Sequence, residues 1–146
     1  MPRDERSAHR RIPRSPGTLV TVAGAVAVAV AAFLPWGGSG EATRTSFELV
    51  QVAERLDLLQ GRNRQVAAAL WYLLPLVVAL VWLAATFDRS VVVAVLGVVV
   101  GALAISGAAV VVSSPLKTQP GVPIAVLAGG TAVGGAALIA LERRRP

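Results

Sequence analysis

Residues 66 to 112 run "VAAALWYLLPLVVALVWLAATFDRSVVVAVLGVVVGALAISGAAVVV". Two blocks of 22 residues, Val66 to Phe87 and Val91 to Val112, contain no Asp, Glu, Lys, Arg or His, and only Asp88-Arg89-Ser90 separates them. A hydrocarbon core of about 30 Å is crossed by about 20 helical residues rising ~1.5 Å each, so each block has the length of a membrane span. A three-residue link folds the two into a tight antiparallel hairpin. Valine-rich runs also suit buried strands, but strands rarely exceed about ten residues, and a transmembrane barrel needs polar inner faces at period two. Neither condition is met.

Outward from this hairpin lie two similar blocks, Thr18 to Trp36, "TLVTVAGAVAVAVAAFLPW", and Val122 to Leu141, "VPIAVLAGGTAVGGAALIAL". A basic start and small residues such as Ala27 and Ala29 also fit a cleavable export signal. The first block is longer than the roughly 7 to 15 apolar residues of such signals and ends in Pro35-Trp36, which favours a retained span. With 55% hydrophobic and 15% charged residues, the chain departs from the roughly 25% charged residues of soluble domains. The expected fold is all-α: a four-helix transmembrane bundle with a short amphipathic helix in the first extracytoplasmic loop. The expected order is a disordered basic tail over 1–17, spans over 18–36, 66–87, 91–112 and 122–141, outer loops over 37–65 and 113–121, an inner turn over 88–90 and a basic tail over 142–146.

Fourteen Lys+Arg against eight Asp+Glu give a net charge of +6. The tails hold Arg10, Arg11, Arg14, Arg143, Arg144 and Arg145 beside spans, where they meet anionic lipid head groups rather than nucleic acid. Cations flank the first and fourth spans mainly at the chain ends, which puts both termini in the cytoplasm; Arg62 and Arg64, ahead of the second span, oppose that orientation. Trp36, Trp71, Tyr72 and Trp82 stand near span ends and are expected to anchor at the membrane interfaces.

In the first loop, Thr45-Ser46-Phe47-Glu48 fits a capping box and starts a helix over about 46–60. Leu49, Val52, Ala53, Leu56 and Leu59 form one stripe of it, and Gly61 can end it. Arg44, Thr45 and Ser46, at the exposed amides of that helix start, are a candidate contact for an anion or a partner protein, with plain capping as the simpler reading.

Helices in lipid associate through close packing between small residues. Gly97 and Gly101, continued by Ala104 and Ala108, and Gly130 and Gly134, continued by Ala137, are the candidate packing faces. Pro75, inside the second block, deprives the Trp71 carbonyl of its partner and should kink the helix. The spans hold no ionisable side chain, which argues against a proton-coupled exporter. Without cysteine there is no thiolate chemistry, and Ser106 has no histidine base. No metal or cofactor is expected, and no enzyme activity.

A basic tail, a first span ending in "FLPW", then "SGEATRTSFELVQVAERLDLL" and three further spans resembles small uncharacterised four-span membrane proteins of high-GC actinobacteria. That resemblance implies a bacterial plasma-membrane location and no particular activity. The expected role is an accessory or scaffold subunit whose partner is another membrane protein or a second copy. A small carrier or channel for neutral or apolar solutes and an outer-face lipid or ligand sensor are the alternatives.

Overall fold

The computed structural model describes residues 15–39, 42–55 and 62–144. These form six helices and three short strands: α1 (Pro16–Ala32), β1 (Pro35–Ser39), β2 (Ala42–Thr45), α2 (Ser46–Arg55), α3 (Arg62–Tyr72), α4 (Leu74–Thr86), α5 (Ser90–Val112), β3 (Lys117–Thr118) and α6 (Gly121–Arg144). The protein is mostly helical. α5 and α6, 23 and 24 residues long, are long and apolar enough to cross a membrane, whereas α1 and α4 are shorter apolar helices.

The four apolar segments run up and down as a bundle in which α6 packs against both α1 and α5, and α4 packs on α5 and α1. Side chains too small to hold the backbones apart decide this arrangement. A Cβ added at Gly24 would fall on the backbone of Ala132, and one at Gly135 on the backbone of Thr21. Across the other face of α6, a Cβ at Gly101 would lie 2.6 Å from the carbonyl oxygen of Gly129. Thr21 is fully buried where α1, α5 and α6 meet; its methyl group lies against Gly97, and its hydroxyl donates to the Gly17 carbonyl at 2.8 Å.

Local chemistry fixes the helix ends. Ser15 accepts from the Thr18 amide at 3.2 Å, and Pro16 occupies the first helical turn of α1, where its missing N–H costs nothing. At the end of α4, Asp88 takes a left-handed backbone (φ 55°), and the Arg89 and Asp88 amides return to the carbonyls of Ala84 (2.9 Å) and Ala85 (3.4 Å). Backbone groups at the end of α4 are thereby paired within the expected three-residue turn.

Three expectations change. First, α1 stops at Ala32 rather than Trp36, because the residue before a proline is driven out of helical geometry; Leu34 and Pro35 leave the helix, and Pro35-Trp36 enters a strand. Second, the block expected as one helix over 66–87 begins at Arg62 and is divided at Leu73 into α3 and α4. The division lies two residues before Pro75, whose ring removes the bond back to Trp71, although Leu73 and Val77 still bond to Ala69 and Leu73 at 3.1 and 3.0 Å.

Third, the first loop is not helix alone. β1 pairs antiparallel with β2 on one side and with β3 on the other, giving the order β2-β1-β3. Ser39 pairs with Ala42 and Gly37 with Arg44, but Pro35 pairs with Thr45, so Trp36 is an extra residue at a bulge. This small sheet and α2 close one end of the bundle. The N-terminus of α1 and the C-terminus of α6 meet at the other end, where the Gly17 amide donates to Glu142 Oε1 at 3.2 Å and Arg143 Nη2 donates to Ser90 Oγ at 2.9 Å.

Candidate functional site

The closed end gathers most of the polar contacts between segments. The last turn of α1 buries Ala31 and Ala32; the Phe33 and Leu34 amides close back on the carbonyls of Val30 and Ala31 at 3.1 Å, and side chains add further donors to Ala31 and Ala32. The bulge provides one by turning the Trp36 indole inward, where Nε1 donates to the Ala31 carbonyl at 2.7 Å. α2 provides another: Ser46 Oγ donates to the Ala32 carbonyl at 2.6 Å and accepts from Trp71 Nε1 on α3 at 3.1 Å. One hydroxyl thus joins α1, α2 and α3, and no buried side-chain polar atom among the described residues lacks a partner.

The two indoles meet edge to face, with ring centroids 5.2 Å apart at 78°. Glycines seat them: the Trp71 ring lies over Gly107, and Trp36 lies so close to Gly121 that an added Cβ would stand 2.5 Å from its ring. Ala31, Ala108, Val111, Val122 and Ala125 complete the cluster, with Phe47, Leu49 and Val50 of α2 packed on it. Trp36 and Trp71 are therefore interior residues, 2% and 6% exposed, and not the interfacial anchors expected. Each ring has a buried acceptor for its N–H, which a place near a span end does not reveal. Tyr72 and Trp82 do face outward.

The capping box forms. The Thr45 amide and hydroxyl donate to Glu48 Oε2 at 2.7 and 3.2 Å, and the Glu48 amide lies 3.4 Å from Thr45 Oγ1. Thr45 and Glu48 satisfy one another, and Ser46, 3% exposed and engaged on both sides, is removed from any anion or outside partner. Arg44 stands alone of the three as an exposed residue, on edge strand β2. The expected helix positions 56–60 lie outside the described residues.

Among the candidate packing glycines, Gly97 and Gly101 are buried, with Ala104 and Ala108, on the inner face of α5. Gly130 and Gly134 face open space, and their neighbours Gly129 and Gly135 make the close approaches to α5 and α1. Two adjacent glycine pairs offer either face equally, and the positions of Thr21 and Gly101 select the other one. Pro75 is exposed on α4, on the outside of the bundle. Arg143 and Arg144 are exposed at the opposite end from the cap; Arg10, Arg11, Arg14 and Arg145 lie outside the described residues.

No family model, curated protein or solved structure matches this chain. Among the described residues no three His, Cys, Asp or Glu side chains converge as metal ligands would. The arrangement is suited to holding a rigid surface at one end of a helical bundle.

Sequence reasoning missed the hairpin, the indole seats and the inner face of α1. Signals for two of them exist. Gly40-Glu41, outside the described residues, has in sequence the glycine-first form favoured in two-residue hairpin loops. Gly17, Thr21 and Gly24 recur at helical spacing along one side of α1.

Proposed function

We propose that this chain is a non-enzymatic multipass protein of a bacterial plasma membrane that crosses the bilayer four times and serves as an accessory or scaffold subunit. The observation that carries the membrane reading is the outward surface of the bundle. On α5 the inner stripe is Val93, Gly97, Val100, Gly101, Ala104, Ala108 and Val111, while the outer face is mostly valine with Ile105 and two alanines, Ser106 its one polar side chain, and Val110 68% exposed. α6 behaves alike, with Leu127 72% exposed. A helix that must face water carries charge on that side, and monomers in water rarely expose so wide an apolar surface. Charged residues among the described ones stand only toward the ends: Asp88, Arg89, Glu142, Arg143 and Arg144 at one, and Arg44, Glu48, Glu54, Arg55, Lys117 and, at the start of α3, Arg62 and Arg64 at the other.

With α3 and α4 counted as one interrupted span and α1 supplying about 25 Å of helix, the bundle supports four crossings. Arg89, Arg143 and Arg144 stand at the end where α1 begins and α6 finishes, and in the sequence Arg3, Arg6, Arg10, Arg11, Arg14 and Arg145 adjoin the same ends of those two helices. They outnumber the five cations of the capped end, which favours termini inside, against anionic lipid, and a cap outside. The contrary pair ahead of α3, Arg62 and Arg64, is outweighed by this total.

The scaffold role is supported by an interior closed by backbone contact around Thr21, Gly24 and Gly135, and by a cap whose buried donors are used up internally. A carrier with a gate at Pro75 would place that residue toward a pathway, but it faces outward. The test is a photo-crosslinking residue at Thr43, exposed on β2, in native membranes, together with solute flux in proteoliposomes. A discrete adduct to another membrane protein or a second copy, without flux, is expected. Flux of a neutral solute that Pro75→Ala abolishes, with no adduct, would reverse the reading in favour of a carrier.

A further inference from the structure

The two tryptophans expected at the outer interface are interior, yet another set of aromatic rings stands on the rim of the capped end. Phe33, at the end of α1, is 63% exposed and lies 5.2 Å from Phe47 of α2, tilted by 48°. Phe47 in turn stacks on Tyr72 of α3, with centroids 6.4 Å apart and 22° between planes. The three rings come from three helices and form one continuous strip. On one side the strip continues into the apolar exterior of α1 and α4, through Val30, Leu73 and Leu76. On the other it gives way along the two turns of α2 that follow Phe47 to exposed Glu48, Gln51, Glu54 and Arg55, and the Tyr72 hydroxyl donates to Glu54 Oε2 at 3.4 Å.

Hydrocarbon below, charge above and a phenol whose hydroxyl points to the charged side are the chemistry of the zone between lipid tails and head groups. An α2 that is apolar toward the bundle and charged away from it suits the same depth. We infer that the Phe33–Phe47–Tyr72 strip is the surface on which the outer leaflet docks, its rings occupying the boundary between acyl chains and head groups. This inference rests on the membrane reading above. It assigns the anchoring that Trp36 and Trp71 do not perform, and it sets α2 at the bilayer surface rather than above it.

Because the native chain has no cysteine, single spin labels report depth without background. Labels replacing Phe33 and Tyr72, both exposed so that the interior is untouched, are compared in lipid vesicles with labels at Val98 on the exterior of α5 and at Arg44 on β2. Collisions with oxygen, which concentrates in hydrocarbon, and with a water-soluble nickel chelate are measured by power saturation. The expected order of nickel access is Arg44 highest, Phe33 and Tyr72 intermediate with both reagents colliding, and Val98 lowest. A Phe33 label as open to nickel as Arg44, with Val98 still shielded, overturns the strip while leaving the membrane reading intact. Loss of both collisions at Phe33 also overturns it, since a covering polypeptide excludes both reagents. Nickel access at Val98 equal to that at Arg44 would instead overturn the membrane reading itself.

Discussion

The middle of the bundle and its cap hold helices together by opposite means. Around Thr21, Gly24, Ala132 and Gly135 the side chains are so small that α1 and α6 touch backbone to backbone, and the one hydroxyl there bonds within its own helix. Around Trp36, Ser46 and Trp71 the side chains are large, and three hydrogen bonds run between segments. The contrast follows from the solvent each region would meet. On the membrane reading proposed above, lipid tails give apolar side chains no advantage in leaving them, so close approach decides; at the cap, burial from water and the open Ala32 carbonyl at the helix end both act.

Substitutions can break this contrast in graded steps. The largest effect is expected at Gly24, where a leucine has only the Ala132 backbone to displace. Gly24→Leu should cost at least about 3 kcal/mol or prevent folding, measured as loss of the helical signal during denaturing-detergent titration. Next is Ser46→Ala, which strands the Trp71 indole N–H and the Ala32 carbonyl and should cost about 2 kcal/mol. The same variant combined with Trp71→Phe should lose less than the sum of the two single changes, because both remove one shared bond.

Thr45→Ala removes a cap at the exposed surface and should cost about 1 kcal/mol in the same titration while leaving the tryptophan emission unchanged. The smallest effect is expected at Gly130, which resembles Gly24 in sequence but faces open space; Gly130→Leu should alter stability by no more than about 0.5 kcal/mol. Equal losses from Gly24→Leu and Gly130→Leu would show that the close approach between α1 and α6 does not hold the bundle.

Features with a local cause were legible in the sequence. The charge-free blocks, the capping box at Thr45 and Glu48, the three-residue turn at Asp88 and the interruption near Pro75 each follow from residues adjacent in the chain. The faces of α6 were not, because Gly129-Gly130 and Gly134-Gly135 present glycine on both sides and only the docking of α1 and α5 distinguishes them. The tryptophans failed for a similar reason. Their positions near span ends fit an interface as well as an interior, and what draws Trp36 inward is a bulge set by strand pairing and an acceptor five residues earlier, while Trp71 finds its acceptor on another helix. The rim aromatics became visible only when Phe33, Phe47 and Tyr72, distant in sequence, came side by side.

The central claim, a four-span bundle with its cap outside and both tails inside, is tested most directly by single cysteines at Ser113 and Arg89, exposed residues at opposite ends of α5. Intact cells are treated with a membrane-impermeant maleimide before and after permeabilisation. The account predicts that Ser113→Cys is labelled in intact cells and that Arg89→Cys is labelled only after permeabilisation. Equal labelling of both positions in intact cells would contradict it.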